Sequence, residues 1–137
     1  MGKRSTGRKL AMQAMYQADI RNEPIDSIID HFLTETTYFS STKDWAIHLA
    51  KTAWEKREEL DIIIEKYAIG WDLERINTID KNLLRLALYE LKYTATPLNV
   101  VLNEVIEISK KYSTDDSPKF INGILGNFVK QECLPAS

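Results

Sequence analysis

Three of the four prolines in this chain each precede a run of apolar residues that recur with helical spacing. Proline is well placed in the first turn of an α-helix, because the amide that it lacks has no intrahelical partner there. Pro24, Pro97 and Pro118 therefore predict three helices, each carrying an i, i+3, i+4, i+7 apolar stripe. At the third of these helices, Asp116 or Ser117 is expected to cap the exposed amides.

Further helices are predicted from apolar spacing alone. The first runs from about Thr6 to Arg21 and has a narrow stripe of small residues, which indicates close packing against a neighbour. A longer helix is expected to be capped at Ser41 or Thr42 and to end near Gly70. A short helical turn is expected to follow from Asp72.

The stretch from Ile79 to Leu91 is apolar on nearly every side, which is typical of a helix buried at the centre of a bundle. No segment shows the alternation of polar and apolar residues that marks a half-buried strand. Glycine and proline together make only 9 of the 137 residues (5 plus 4). An all-β sandwich with frequent turns is therefore excluded, and the sequence predicts an all-α fold of about seven helices in a single domain.

Patterns of catalytic or metal-binding residues are scarce. His31 and His48 lack the spacing of a ligand pair, and Cys133 is the only cysteine, so neither a metal site nor a disulfide is expected. No glycine-rich phosphate loop is present, so no cofactor is expected. No apolar run approaches the roughly 18 residues of a membrane span. These observations favour a cytoplasmic protein that is not an enzyme and not bound to a membrane.

The amino terminus is strongly basic. Lys3, Arg4, Arg8 and Lys9 precede the first acidic residue, Asp19. The net charge of the whole chain is −2, so these four cations leave −6 on the remaining residues. Such a cluster neutralises phosphates and predicts salt-dependent binding to nucleic acid. The alternative is that the basic terminus is exposed to solvent and binds nothing. The charge alone does not decide between nucleic-acid binding and this alternative.

A second unusual segment lies at the start of the third proline-marked helix. Lys119, Phe120 and Asn122 combine a cation, an aromatic ring and an amide. This combination suits single-stranded RNA, because the ring can stack on a base and the amide can read a base edge. The alternative is that Phe120 belongs to the core, since it adjoins Ile121 on the apolar side of the helix.

Four segments together resemble the NusB family of bacterial transcription antitermination factors. They are RKLAMQAMY at 8–16, DKNLLRLALYEL at 80–91, the NEVIE helix within 97–110, and DSPKFINGIL at 116–125. Their order and spacing are similar to those of the family, and together they span nearly the whole chain.

The resemblance implies an all-α fold of two packed helical subdomains, placed here at about 1–69 and 70–137. It also implies a non-catalytic factor that binds boxA-type single-stranded RNA together with the small-subunit ribosomal protein NusE. Through NusE it would join the RNA polymerase antitermination complex and support ribosomal RNA transcription. By position, the partner interface would involve Tyr16 and Asp80. RNA contacts would fall on Lys3, Arg4, Arg8, Lys9, Asp116, Ser117, Lys119, Phe120 and Asn122.

The chain also departs from the family pattern. Ser5, Thr6 and Gly7 stand where some members have further arginines, which favours dependence on the protein partner for RNA affinity. The small-residue face of the first helix could pack internally or against a second copy, so a homodimer is possible. Two alternatives are the RNA-binding front end of a ribosomal RNA cytosine methyltransferase and a pure protein adaptor. The lack of a glycine-rich cofactor loop disfavours the methyltransferase.

Overall fold

The computed structural model describes residues 2–35 and 37–133, and this part of the chain is helical without a strand. The side chain of Cys133, expected to form no disulfide, lies outside that description. The α-helices are α1 (Lys3–Arg21), α2 (Ile25–Ile28), α3 (Ser40–Glu55), α4 (Arg57–Tyr67), α5 (Thr78–Tyr93), α6 (Leu98–Tyr112) and α7 (Ser117–Phe128). Shorter segments are a 3₁₀ turn at Leu73–Arg75 and π-helical extensions of α2 at Ile29–Leu33 and of α7 at Val129–Cys133. The prediction of an all-α fold with about seven helices is confirmed.

Helix α5 is the centre of the bundle and packs against α1, α3, α4, α6 and α7. Its leucines Leu83, Leu86 and Leu88 are fully buried, which confirms the prediction from the apolar run. The helix is capped by Asn77, whose side chain accepts a hydrogen bond from the backbone amide of Asp80 at 2.9 Å.

Helices α1 and α3 pack against each other through small side chains. Ala11 and Ala14 of α1 and Ala46 and Ala50 of α3 are fully buried. Because the distance between packed helices depends on the side chains at the contact, alanines on both sides allow a close approach. The predicted close packing of the first helix is confirmed. Its small-residue face is occupied within the chain, so a homodimer would need a different surface.

The prediction of a single long helix that ends near Gly70 is wrong. Helices α3 and α4 are separate and meet at Lys56, where φ is −91° and ψ is 6°. No glycine or proline marks this break. The apolar positions Ala53 and Leu60 are seven residues apart, so the helical stripe stays in phase across it. The break has a tertiary cause, since α3 packs mainly on α1 whereas α4 packs on α5 and α7.

The buried apolar side chains form one cluster that extends from α1 to α7. Helix α4, from the first half of the chain, packs against α5 and α7 of the second half. The division into helical subdomains at about residue 69 stays a prediction. No helix in the described ranges is long and apolar enough to cross a membrane.

Candidate nucleic-acid interface

The basic start of the chain is helical, because α1 begins at Lys3 and not near Thr6 as expected. Lys3 and Arg4 are exposed. The Arg4 guanidinium lies over the ring of Trp45, 4.4 Å from the ring centroid. The amino group of Lys9 donates a hydrogen bond to the hydroxyl of a tyrosine in the loop before α3 at 3.1 Å. Three of the four predicted cations are therefore at the surface.

The fourth cation, Arg8, is buried with only 3% of its side chain exposed. Its Nε and Nη2 donate to the two carboxylate oxygens of Glu90, each at 2.7 Å, and its Nη1 donates to Glu104 at 3.0 Å. Burial by itself lowers the pKa of Arg8. The hydrogen bonds with Glu90 and the charges of both carboxylates outweigh burial, so the pKa of Arg8 is raised above its usual value. Arg8 therefore stays charged and joins α1 to α5 and α6.

At Gly7, one of three positions where the basic start is thinner, the structure leaves no room for a side chain. A Cβ atom at this position would lie 2.4 Å from Cε3 of Trp45, well inside van der Waals contact. An arginine could not occupy position 7 without displacing the indole. Nearby, the hydroxyl of Ser5 donates a hydrogen bond to the carboxylate of Glu104. Gly7 thus lets Trp45 pack against α1, where the indole supports the exposed Arg4.

Asp80 lies inside the protein, with 4% of its surface exposed. Its carboxylate accepts hydrogen bonds from the hydroxyls of Ser113 at 2.6 Å and Ser117 at 2.8 Å, and from the side-chain amide of Asn77 at 3.0 Å. These bonds fasten the start of α5 to the loop between α6 and α7. Asp80 therefore positions that loop from within and does not belong to the outer surface.

The expected side-chain cap of α7 does not form. Asp116 occupies the N-cap position with helical backbone angles and makes no side-chain cap hydrogen bond. Ser117 is 1% exposed, and its hydroxyl is directed to Asp80. The same hydroxyl accepts a hydrogen bond from the backbone amide of Thr114 at 3.1 Å. Because the Ser117 hydroxyl bonds to Asp80 and to the Thr114 amide, it holds the loop before α7 in place. It does not cap the free amides at the start of that helix.

The other predicted RNA contacts of this loop are at the surface. Asp116, Lys119 and Asn122 are exposed, and Phe120 is half-buried. The Phe120 ring packs edge-to-face against Trp71, with centroids 5.8 Å apart and an interplanar angle of 68°. Phe120 packs against the core and also lines a cleft, and its contact with RNA stays a prediction.

Two clefts bring the two predicted RNA-binding segments to the same end of α6. The α1–α6 cleft is lined by Lys9 of α1 and by Lys111 and Tyr112 at the end of α6. The Trp71 cleft is lined by Thr114 and Phe120, among others. Tyr112 and Thr114 are two residues apart, so both clefts lie near the same end of α6. Lys9 of α1 and the Phe120 loop therefore lie near this end of α6, whereas Arg4 lines a separate cleft with Val100 at the start of α6.

The predicted partner residue Tyr16 is half-buried on α1. One turn later on the same helix face, Ile20 is 57% exposed. This pair presents apolar surface, unlike the buried Asp80.

Sequence reasoning missed Trp71 and Arg75, which line the cleft beside Phe120. The sequence signal for Trp71 was its position, a large aromatic residue directly after the glycine at the end of a predicted helix. Among the described residues, no group of acidic, histidine or cysteine side chains could hold a metal ion.

The sequence matches the model of the NusB family over residues 5–130. Among similar proteins is the transcription antitermination protein NusB of Thermoanaerobacter pseudethanolicus, 40% identical over 131 residues, with 96% of this chain and 93% of the relative covered. The transcription antitermination protein NusB of Bacillus subtilis is 37% identical over 126 residues, with 91% and 93% covered.

Solved structures agree with these relatives. T. maritima NusB is 34% identical to this chain with a TM-score of 0.86, and the match covers 96% of this chain and 92% of that one. A crystal structure of the antitermination factors NusB and NusE in complex with dsRNA is 28% identical with a TM-score of 0.86, covering 95% and 98%. The resemblance of the four sequence segments is thus confirmed over nearly the full length, and the chain belongs to the NusB family.

Proposed function

We propose that this chain is a transcription antitermination factor that binds boxA-type single-stranded RNA together with ribosomal protein NusE. Membership of the NusB family agrees with the expectation that it is not an enzyme. The observation that carries the proposal is that both clefts lie near the end of α6, which places Lys9 of α1 near the Phe120 loop. A NusB relative crystallised with NusE and dsRNA supports NusE and RNA as partners, and the single-stranded boxA target is what the proposal adds.

In this proposal, RNA runs from the start of α1 along α6 to the end of that helix and the Phe120 loop. The exposed Lys3 and Arg4 and the half-buried Lys9 neutralise phosphates, because they are cations on one helix. Phe120 stacks on an unpaired base through the side of its ring that lines the cleft. Asn122 is exposed and can bond to a base edge or a phosphate.

Three residues that were predicted to contact RNA or NusE are buried, and they act indirectly. Arg8 holds α1 against α5 and α6 through its carboxylate partners, so it keeps Arg4 and Lys9 in place. Ser117 and Asp80 hold the loop that carries Phe120. Their contribution to RNA binding is therefore the position of the exposed groups and not a direct bond to RNA.

The NusE interface is proposed around the apolar surface of Tyr16 and Ile20 on α1. Outside its basic start the chain carries a net charge of −6, which complements a basic ribosomal protein. Binding of NusE next to the RNA would complete a joint surface and link it to RNA polymerase in the cytoplasm.

The test is a titration of a boxA oligonucleotide and a scrambled oligonucleotide at several salt concentrations, with and without NusE. We expect boxA to bind more tightly than the scrambled sequence, NusE to strengthen binding, and salt to weaken it. Absence of binding in both conditions, or equal affinity for the two sequences, would contradict the proposal.

The role of the α1 cations is tested by the double variant Lys3→Ala with Arg4→Ala. Loss of two phosphate contacts to a single strand should reduce the slope of log affinity against log salt by roughly 1.4. The matched control is Lys51→Ala with Lys66→Ala, since both lysines are exposed and lie on α3 and α4, outside the basic start of the chain. An equal change of slope in the control would assign the effect to net charge alone.

A further inference from the structure

We infer that Trp71 and Arg75 complete, with Phe120, a pocket that holds one unpaired base of the bound RNA and its phosphate. This inference rests on the proposed function and deepens it, because it names a binding pocket outside the two segments that the sequence singled out. Trp71 precedes Phe120 by 49 positions, so only the fold brings their rings together.

The chain holds Trp71 at the surface by anchoring the backbone on both sides of it. Ala68 and Ile76 are buried, at 3% and 4% exposure, whereas Trp71 between them is 51% exposed. Gly70 has a φ of +82°, a left-handed conformation that glycine adopts without steric cost. This turn reverses the chain after α4, and the Trp71 amide donates to the Ala68 carbonyl at 2.9 Å. A large apolar side chain is thus fixed in a solvent-exposed place.

The rings of Trp71 and Phe120 form two walls of a corner, because they meet at 68° with centroids 5.8 Å apart. A planar base can stack on one ring while its edge meets the other, and aromatic pairs favour both arrangements. Base stacking on an aromatic side chain is independent of base identity, since every base has a π-face. The corner therefore supplies affinity for an unstacked base of single-stranded RNA.

The size of the Trp71 cleft agrees with a single base. Its volume is about 220 Å³, below the roughly 300–1,000 Å³ of pockets that enclose drug-sized ligands. Asp116 and Asn77 line the same cleft and are exposed. The carboxylate of Asp116 repels phosphate and accepts hydrogen bonds from N–H groups on a base edge. The cleft thus favours a base inside it and the sugar–phosphate chain outside.

Arg75 supplies the cation for that phosphate. It is exposed, lines the cleft, and forms no ion pair with any residue in the described ranges. A guanidinium can bond a phosphate at two points, which fixes the orientation of the nucleotide as well as binding it. Arg75 is therefore free to meet the backbone of a strand whose base stacks on Trp71 or Phe120.

The experiment compares Trp71→Ala, Trp71→Phe and Arg75→Ala in the full chain with NusE and a boxA oligonucleotide. We expect Trp71→Ala to weaken RNA binding roughly 5- to 150-fold, the range of one lost base stack. Trp71→Phe keeps a ring and should lose much less. The matched control is Ile69→Ala, since Ile69 is 83% exposed in the same loop but does not line the cleft.

A second arm removes bases from the RNA one position at a time. The wild-type protein should bind the RNA more weakly when one particular base is removed. Trp71→Ala should bind that abasic RNA no more weakly than it binds the intact RNA. Quenching of tryptophan fluorescence on RNA binding, present in wild type and reduced in Trp71→Phe, is an independent readout. Circular dichroism of each variant checks that it is folded.

The outcomes separate this inference from the proposed function. Unchanged RNA affinity in Trp71→Ala, with weakened binding in the Lys3 and Arg4 double variant, overturns the pocket and leaves the proposed function standing. Absence of RNA binding by wild type contradicts the proposed function itself. Weaker NusE binding by Trp71→Ala when RNA is absent would assign this corner to the protein partner and overturn the inference.

Discussion

Arg8 binds Glu90 through two hydrogen bonds of 2.7 Å, from Nε to Oε2 and from Nη2 to Oε1, and both side chains are at least 97% buried. The pair joins the first helix to the central helix α5. Arg4, four residues earlier, lies exposed over an indole ring. Two arginines that share a helix face by spacing thus have different roles, one in the interior and one at the surface.

Arg8→Ala should reduce the free energy of unfolding by about 3–5 kcal/mol, because it leaves the buried carboxylate of Glu90 without its partner. Arg4→Ala should cost about 1 kcal/mol or less, the usual contribution of an exposed cation–π contact. Urea unfolding of the two variants measures the difference.

A paired substitution gives the control. Arg8→Met with Glu90→Leu removes both charges, so it should recover much of the stability lost in Arg8→Ala. Equal stability losses in the Arg4 and Arg8 single variants would show that the buried pair does not have the structural role assigned to it.

Gly7→Ala should destabilise the protein by about 1–3 kcal/mol, the usual cost of overpacking a filled site. The added Cβ would lie 2.4 Å from the ring of Trp45, a residue of α3 that packs against α1 at this point. Thermal unfolding compares it with Gly126→Ala in α7, where nothing lies within 4 Å of the added methyl. The control should be stabilised by about 0.5–1 kcal/mol, since alanine favours a helix over glycine. Similar behaviour of the two variants would rule out the steric role of Gly7.

Ser117→Ala should lower the free energy of unfolding by about 1.5–3 kcal/mol, the usual contribution of a hydrogen bond to a charged group. Asp80 is buried and would lose one of its three side-chain donors. We also expect weaker RNA binding, because the loop that carries Phe120 would be less firmly held. The comparison is Ser41→Ala at an exposed position of α3, and RNA affinity at a temperature where both variants are folded completes the test. Unchanged stability in Ser117→Ala would contradict the positioning role.

Two partly exposed carboxylates, those of Glu59 and Glu132, link α4 to its neighbours and have lowered pKa values. A hydrogen bond from the Tyr93 hydroxyl, followed by one from Lys92, lowers the pKa of Glu59. A hydrogen bond from the Tyr67 hydroxyl is the largest cause of the lowered pKa of Glu132. A carboxylate with a lowered pKa in the folded state stabilises the fold above its usual pKa. That contribution is lost as the pH falls through the folded-state value.

The double variant Glu59→Gln with Glu132→Gln should therefore lose less stability than wild type as the pH falls below the usual glutamate pKa of about 4.3. Urea midpoints measured from neutral pH down through the acid range give the two curves. Glu23→Gln changes an exposed glutamate that forms no ion pair within the described ranges and should leave the curve of wild type unchanged. Parallel curves for the double variant and wild type would refute this account of the acid dependence.

Several features could be predicted from the sequence because they depend on local chemistry. First-turn prolines and apolar spacing placed the starts of α6 and α7, and the all-round apolar run identified α5 as the buried centre. The same spacing failed at Lys56, because a helix break without glycine or proline has no local signal. The cap expected at Ser117 failed because Asp80, 37 residues earlier, takes its hydroxyl.

The sequence by itself determined the helical class, the central helix and the presence of cations at one end of the chain. Helical periodicity and charge are properties of neighbouring residues, so they can be read without a fold. Only the tertiary structure decided which cation is buried, since Glu90 is 82 residues from Arg8. It alone also placed Trp71 against Phe120. Contacts between distant residues depend on how helices pack, and packing is set by the whole core and not by any one segment.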